Sequence, residues 1–326
     1  MSTLSVSETD NQSSICSPAE HLRRTAAAVR VHFVWWGVHK TLTSEQKEEV
    51  GMAHAADASF LTAGKKIIDV HHEAYRSLTS LRSRIKGYWR KATLPYVEPG
   101  MRLIKQADID SFVNAMQEFR EQLGQAEAAL DVDYDSIKAD ARRSLGKLYD
   151  ASDYPATVRG QFAVEWDFPS VEPPNYLMRL SPEIYQQEQE RVARRFEDAV
   201  TLAEQAFVSE FSKIVAHLTE RLSGSDGERK VFRDSAVGNL REFFERFRYL
   251  SVRSNEDLER LVDQAQQMVQ GIGPQDLRDN DSLRANVVQQ LTTVQATLDA
   301  MIVSQPRRRI LRSQPSGNGA SHGNGN

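Results

Sequence analysis

The stretch PEIYQQEQERVARRFEDAVTLAEQAFVSEFSKIVAHLTERLSG, residues 182–224, decides the architecture of this chain. Ser181 followed by Pro182 and Glu183 is a helix start signal, and no proline or glycine interrupts the run before Gly224. Apolar side chains recur at Tyr185, Val192, Phe196, Ala199, Ala203, Phe207, Phe211, Ile214, Leu218 and Leu222, with Gln189 filling one place in the row. The mean step is about 3.7 residues, nearer a straight helix than the 3.5 of a left-handed coiled coil. The spacing therefore predicts one long helix over about 182–222, packed along other helices. At 1.5 Å per residue such a helix reaches about 60 Å, so an elongated helical body or self-association is expected. The distal part of the stripe, Phe207, Phe211, Ile214 and Leu218, has two readings: core of the monomer, or anchors that dock into a partner's groove.

Helical periodicity continues on both sides. Downstream it covers Glu228 to Tyr249, Asn255 to Gln270 and Ser282 to Val303, where Pro306 stops it. Upstream it covers Val70 to Ala92, Asp108 to Leu130 and Tyr134 to Tyr149, and the capping box Ser17-Pro18-Ala19-Glu20 opens a short first helix. A different period appears in Val29-Arg30-Val31-His32-Phe33-Val34-Trp35-Trp36, where β-branched and aromatic residues suit a pleated surface. Strands are expected at about 29–42, 64–70, 100–105 and 161–168, joined in one small sheet near the N-terminus. The chain thus reads as α+β and predominantly helical: an arm over 1–17, one mainly helical domain over 18–304, and a basic then Gly/Asn/Ser-rich tail over 305–326, both ends read as disordered.

Composition narrows the function. The 326 residues carry 41 Lys and Arg against 45 Asp and Glu, a formal charge of −4, which excludes a generally basic nucleic-acid coat. The longest apolar run, Phe33 to Val38, is far short of the roughly 20 residues that span a bilayer, so no membrane insertion is expected. The single cysteine, Cys16, and an N-terminus without a secretory pattern point to a cytoplasmic protein.

Sites of known chemistry fail on their spacing. Asp131-Val132-Asp133-Tyr134-Asp135 opens like a calcium loop, but Ser136 replaces the required glycine and Arg142 the bidentate glutamate. Gly64-Lys65 resembles the end of a phosphate loop, yet Ser59 stands at the first glycine and Lys66 at the magnesium-binding hydroxyl. His71 and His72 are adjacent and point to different faces of a helix, while Glu165 and Asp167 share one face of a strand and read as solvated. No cofactor and no metal is expected, and an enzyme ranks last among the function classes.

One feature survives. From Ala74 to Val97 there is no acidic residue, while Arg82, Arg84, Lys86, Arg90 and Lys91 are basic and Tyr88 and Trp89 lie among them. Such a patch binds phosphate backbone or an acidic partner; its plain alternative is a solvated helix end whose cations face the negative pole of the macrodipole, with Tyr88 and Trp89 buried. A second basic group, Arg307, Arg308, Arg309 and Arg312, precedes the tail.

Trp36-Gly37-Val38, Gly64-Lys65-Lys66-Ile67-Ile68, Arg102-Leu103-Ile104, Tyr154-Pro155 and the long Phe/Ala helix together resemble a family of uncharacterised bacterial and phage proteins carrying a domain of unknown function, over about Ala19 to Leu250. That resemblance supplies no catalytic residue. It implies an accessory role beside MoxR-like or cobalt-chelatase-like AAA ATPases and von Willebrand A-type proteins. The expected function is a non-enzymatic scaffold or adaptor that binds another protein, with an AAA ATPase as one such partner; the alternative is a nucleic-acid-binding accessory protein of a mobile element.

Overall fold

The computed structural model describes residues 16–223 and 235–304, so most of the expected arm, the Gly-rich break after the long helix and the basic tail lie outside the described residues. The fold is α+β and mainly helical. It divides into two compact units, Met1–Ala206 with Glu245–Glu256, and Phe207–Phe244 with Asp257–Asn326.

In the first unit, Ser17 caps α1 (Pro18–Thr25) by accepting from the Glu20 amide. The chain then extends into β1 (Ala26–Trp35), the axis of a four-stranded antiparallel sheet ordered β4-β5-β1-β6. The other members are β4 (Leu94–Pro95), β5 (Met101–Lys105) and β6 (Phe162–Asp167). Turns at Gly100 and Gly160, with φ of 81° and 77°, precede β5 and β6 and use the left-handed backbone that glycine adopts without a Cβ clash. β1 starts three residues earlier than its β-branched pattern, because Ala26, Ala27 and Ala28 pair with Lys105, Ile104 and Leu103. Alanine contributes little strand preference of its own; burial of Ala26 and Ala28 against neighbours decides.

The expected stretch 29–42 is two strands. Past Trp36 and Gly37 the chain re-enters extended form as β2 (His39–Thr41), which pairs with β3 (Gly64–Lys66) in a separate two-stranded ribbon. The strand at 64 therefore does not join the main sheet, where β1 already has β5 on one side and β6 on the other. Between them, Thr43 and Gln46 form a capping box for α2 (Ser44–Ala53), an element the periodicity did not single out.

One face of β1, carrying Val29, Val31, Phe33 and Trp35, packs with Phe162, Val164 and Trp166 toward two helices. These are α3 (Glu73–Ala92), buried along Tyr75, Leu78, Leu81 and Ile85, and α4 (Ile109–Leu145). The two helices expected at 108–130 and 134–149 are one: Leu123, Leu130, Tyr134, Ile137 and Ala141 continue a single buried stripe through Asp131-Val132-Asp133. No glycine or proline occurs at that junction, so nothing costs the backbone its i to i−4 bonds. After the short α5 (Tyr176–Leu180) comes the long helix, α6 (Pro182–Ser223), 42 residues long. Its first half buries Val192, Phe196, Ala199 and Ala203 in this unit, Phe196 lying 5.8 Å from the Tyr96 ring and Arg195 pairing with Glu98 at 2.8 Å.

The second unit is all helix among its described residues. The rest of α6 is joined by part of α7 (Ser235–Leu250), then α8 (Glu256–Val269), α9 (Pro274–Asp279) and α10 (Asp281–Ser304). Its core is aromatic: Phe211 stacks on Phe243 at 4.9 Å and 12° and meets Phe244 edge-on at 6.0 Å. Val287, Leu291, Val294 and Leu298 form the buried stripe of α10, and the Gln295 amide donates to Ser212 Oγ on α6 at 2.8 Å.

Candidate functional site

The basic run of α3 lies where the aromatic end of β1 reaches the helix layer. Every second residue of β1 faces α3, so Phe33 and Trp35 stand side by side, 6.4 Å apart and edge to face. Arg82 lays its guanidinium on both rings, 4.5 Å from the centroid of Trp35 and 5.4 Å from that of Phe33. Lys86, one turn on, sits 5.5 Å from Phe33, and Arg84 sits 5.8 Å from Phe119 of α4. Burial, and then the charges of Arg82 and Arg90, lower the Lys86 ammonium below its ordinary pKa. On α4, Arg120 repeats the arrangement 4.2 Å over Trp166 of β6.

Tyr88 and Trp89 are half-buried. Tyr88 stacks on Phe112 at 5.8 Å and 16° and leans on Phe119, and burial followed by the negative charges of Asp108 and Glu118 raises its phenol. Tyr88 is thus committed to packing, and Trp89 packs half-buried against the same core. Arg90 and Lys91 are exposed at the end of α3. That end is capped by Arg102 of β5, whose Nε donates to Thr93 Oγ1 at 2.6 Å and whose other nitrogen donates to the carbonyls of Thr93 and Arg90 at 2.7 and 3.3 Å. The orphan carbonyls supply the negative pole a cation needs there. Burial, with Arg90 and Arg246 nearby, pushes Arg102 down to about 10.

Arg82, Arg84, Lys86, Arg90 and Arg120 form no ion pair among the described residues; π faces, a glutamine and solvent take the place of carboxylates. Sequence periodicity located the α3 cations but missed Phe33, Trp35, Phe119, Arg120 and Trp166 as their partners. The only signal was the alternation of aromatic residues in β1, which does not say which helix covers it.

The distal stripe is covered. Phe207, Phe211 and Leu218 are buried in the second unit and Ile214 is half-buried, so these residues are core there. The carboxylates near Trp166 are dispersed: Asp167 takes a two-point contact from Arg30 at 3.0 and 2.6 Å, Glu172 one from Arg23 at 2.7 and 2.5 Å, and Glu165 is exposed. Asp131, the first residue of the calcium-like run, instead accepts from Thr157 Oγ1, Arg159 Nε and the Val158 amide, which hold its carboxyl below the ordinary range.

Lys65, read as a false phosphate-loop lysine, is buried. Its ammonium pairs with Asp153 at 2.8 Å and donates to the Leu148 carbonyl at 2.7 Å, tying β3 to the segment after α4. Nearby, the Tyr154 hydroxyl donates to the Ile67 carbonyl at 2.6 Å. His71 and His72 line a cleft of about 500 Å³ with Lys66, Asp69, Asp140 and Arg143. Among the described residues no three His, Cys, Asp or Glu side chains are placed to hold a metal ion, and no helix is long and apolar enough to cross a membrane.

The fold and this surface define an α+β, mainly helical protein with a cation-on-aromatic ledge along α3. No protein-family model, no curated protein and no solved structure matches the chain.

Proposed function

We propose that this protein is a non-enzymatic adaptor that captures an acidic surface of another protein on the α3 ledge. The observation that carries the reading is the set of cations without carboxylate partners among the described residues: Arg82, Arg84 and Lys86, each set over an aromatic ring, with Arg90 exposed beyond them. Each cation–π contact is worth about 0.5–2 kcal/mol depending on exposure, so the side chains are held in place before a partner arrives and lose less entropy on binding. Arginine and aromatic residues at one place are also the composition of interface hot spots. An accessory role beside an AAA ATPase, implied by the family resemblance, is one setting for such an adaptor.

Nucleic acid is the second reading, favoured by the same uncompensated charge. Single strands gain affinity by stacking bases on exposed rings, and here Phe33, Trp35, Phe119 and Trp166 carry the protein's own cations while Tyr88 packs on Phe112. Charge alone then remains for a phosphate backbone, which ranks this reading below a protein partner.

The test replaces Arg82, Arg84, Arg90 and Lys91 with Gln. The expected result is unchanged folding by circular dichroism, loss of an acidic partner recovered by cross-linking in the native host, and no affinity of the wild type for single- or double-stranded DNA at 150 mM salt. A DNA affinity that falls steeply with salt and disappears in the variant selects the second reading and overturns the first.

A further inference from the structure

The cleft beside the start of α3 plays no part in the ledge. It lies between the turn that leads from β3 into α3 and the C-terminal part of α4, and its volume of about 500 Å³ falls within the roughly 300–1,000 Å³ of small-molecule sites. Ile68, Ile137 and Ala141, each buried, form an apolar side. Lys66, His71 and His72 form a polar one.

The turn has its shape without a ligand. Asp69 takes the His71 amide on Oδ1 at 2.9 Å and the His72 amide on its carbonyl at 3.1 Å. The residues before it are pinned as well: the Ile67 amide donates to the Val38 carbonyl at 2.9 Å, and the Ile67 carbonyl accepts the Tyr154 hydroxyl at 2.6 Å. Little ordering is then left to be lost on binding.

The polar groups say what kind of molecule fits. Two carboxylates line the cleft, and both are engaged from within the chain, Asp69 by the His71 amide and Asp140 by Arg143. The Lys66 ammonium enters no ion pair or hydrogen bond among the described residues. His72 Nδ1 is shut off from solvent and has no hydrogen-bond partner, a state in which a ring nitrogen calls for one. α3 begins at Glu73, directly after His72, and no side chain caps it, so the positive pole of its dipole adds to the same place. The donor set does not suit a metal ion, because no three His, Cys, Asp or Glu side chains come together among the described residues. A bare inorganic anion would leave Ile68, Ile137 and Ala141 uncovered. We propose that this cleft binds a small organic anion, its phosphate or carboxylate head on Lys66 and His72 and its apolar body on Ile68, Ile137 and Ala141. The cation ledge lies further along α3, so the proposal stands whether or not the ledge binds a partner.

Isothermal titration calorimetry of the full chain tests this with four probes: phenyl phosphate, benzoate, inorganic phosphate and benzyl alcohol. Phenyl phosphate or benzoate is expected to bind saturably at one site, and the tighter of the two identifies the head group. Inorganic phosphate, lacking the apolar body, should bind about tenfold more weakly, and benzyl alcohol, lacking the charge, should not bind. Lys66→Met should weaken the organic anion about tenfold and Lys66→Arg should restore most of the loss. Lys66 is exposed, so thermal unfolding of both variants should match the wild type. His72→Phe should weaken binding to a similar degree; if that variant unfolds, the Lys66 pair decides alone. The proposal is overturned if neither organic anion saturates a site below about 10 mM, if benzyl alcohol binds as well as they do, or if binding is indifferent to Lys66→Met.

Discussion

Phe211 offers the sharpest test of what the long helix is for. Its side chain is fully buried, stacked on Phe243 at 4.9 Å and 12° and set against the edge of Phe244 at 6.0 Å. Phe211→Ala removes the whole ring. Burying a phenylalanine is worth roughly 1.5–3 kcal/mol in transfer from water, and the cavity left between rings that cannot fully close adds to that. Loss of the stacked and edge-on pairs is of similar small size, about 0.5–1.5 kcal/mol. The expected cost is therefore about 3–5 kcal/mol, a large share of a net stability of about 5–15. Ile214, three residues on and only half-buried, is the control: Ile214→Ala should cost about 1 kcal/mol. Urea unfolding followed by circular dichroism reads both. Should Phe211→Ala shift stability by no more than Ile214→Ala, the stripe is not core, and its docking reading returns in place of the one argued above.

Two further outcomes follow from buried or anchored charge. Lys65 and Asp153 have side chains only 4% and 17% exposed, so Asp153→Ala strands a buried ammonium and should cost about 3–5 kcal/mol in thermal or urea unfolding, while Lys65→Met with Asp153→Leu recovers most of the loss. Asp131 is held below the ordinary carboxylate range by Thr157 and Arg159. Its contribution is complete above the unfolded value near 4 and fades as pH falls through the lower folded value, so the wild type should lose stability on acidification below about pH 4 more steeply than Asp131→Asn.

Periodicity along the chain was enough for the helical body, because a buried stripe on α6 must repeat near 3.6 residues whichever helices cover it. It also located β1, β5 and β6 to within a few residues, since alternation in Phe162 to Asp167 and in Val29 to Trp35 reflects one wet face and one dry, but it missed β4 and ran β1 and β2 together. The cations of α3 were legible for the same local reason: absence of acid over Ala74 to Val97 is a property of sequence. Partners were not legible. Whether Gly64–Lys66 joins the main sheet depends on which edges of β1 are already filled, and that is settled by β5 and β6, far along the chain. The fusion of α4 across Asp131 depended on Leu130 and Tyr134 finding the same core as Leu123. Lys65 read only as the lysine of a failed phosphate loop; its pairing in the interior with Asp153, from a distant turn, is decided by the tertiary structure. Local sequence determines how often side chains return to one face of an element; which face meets which is decided by long-range packing, where burial of Phe211 on Phe243 or of Arg82 on Trp35 outweighs any preference a residue has alone.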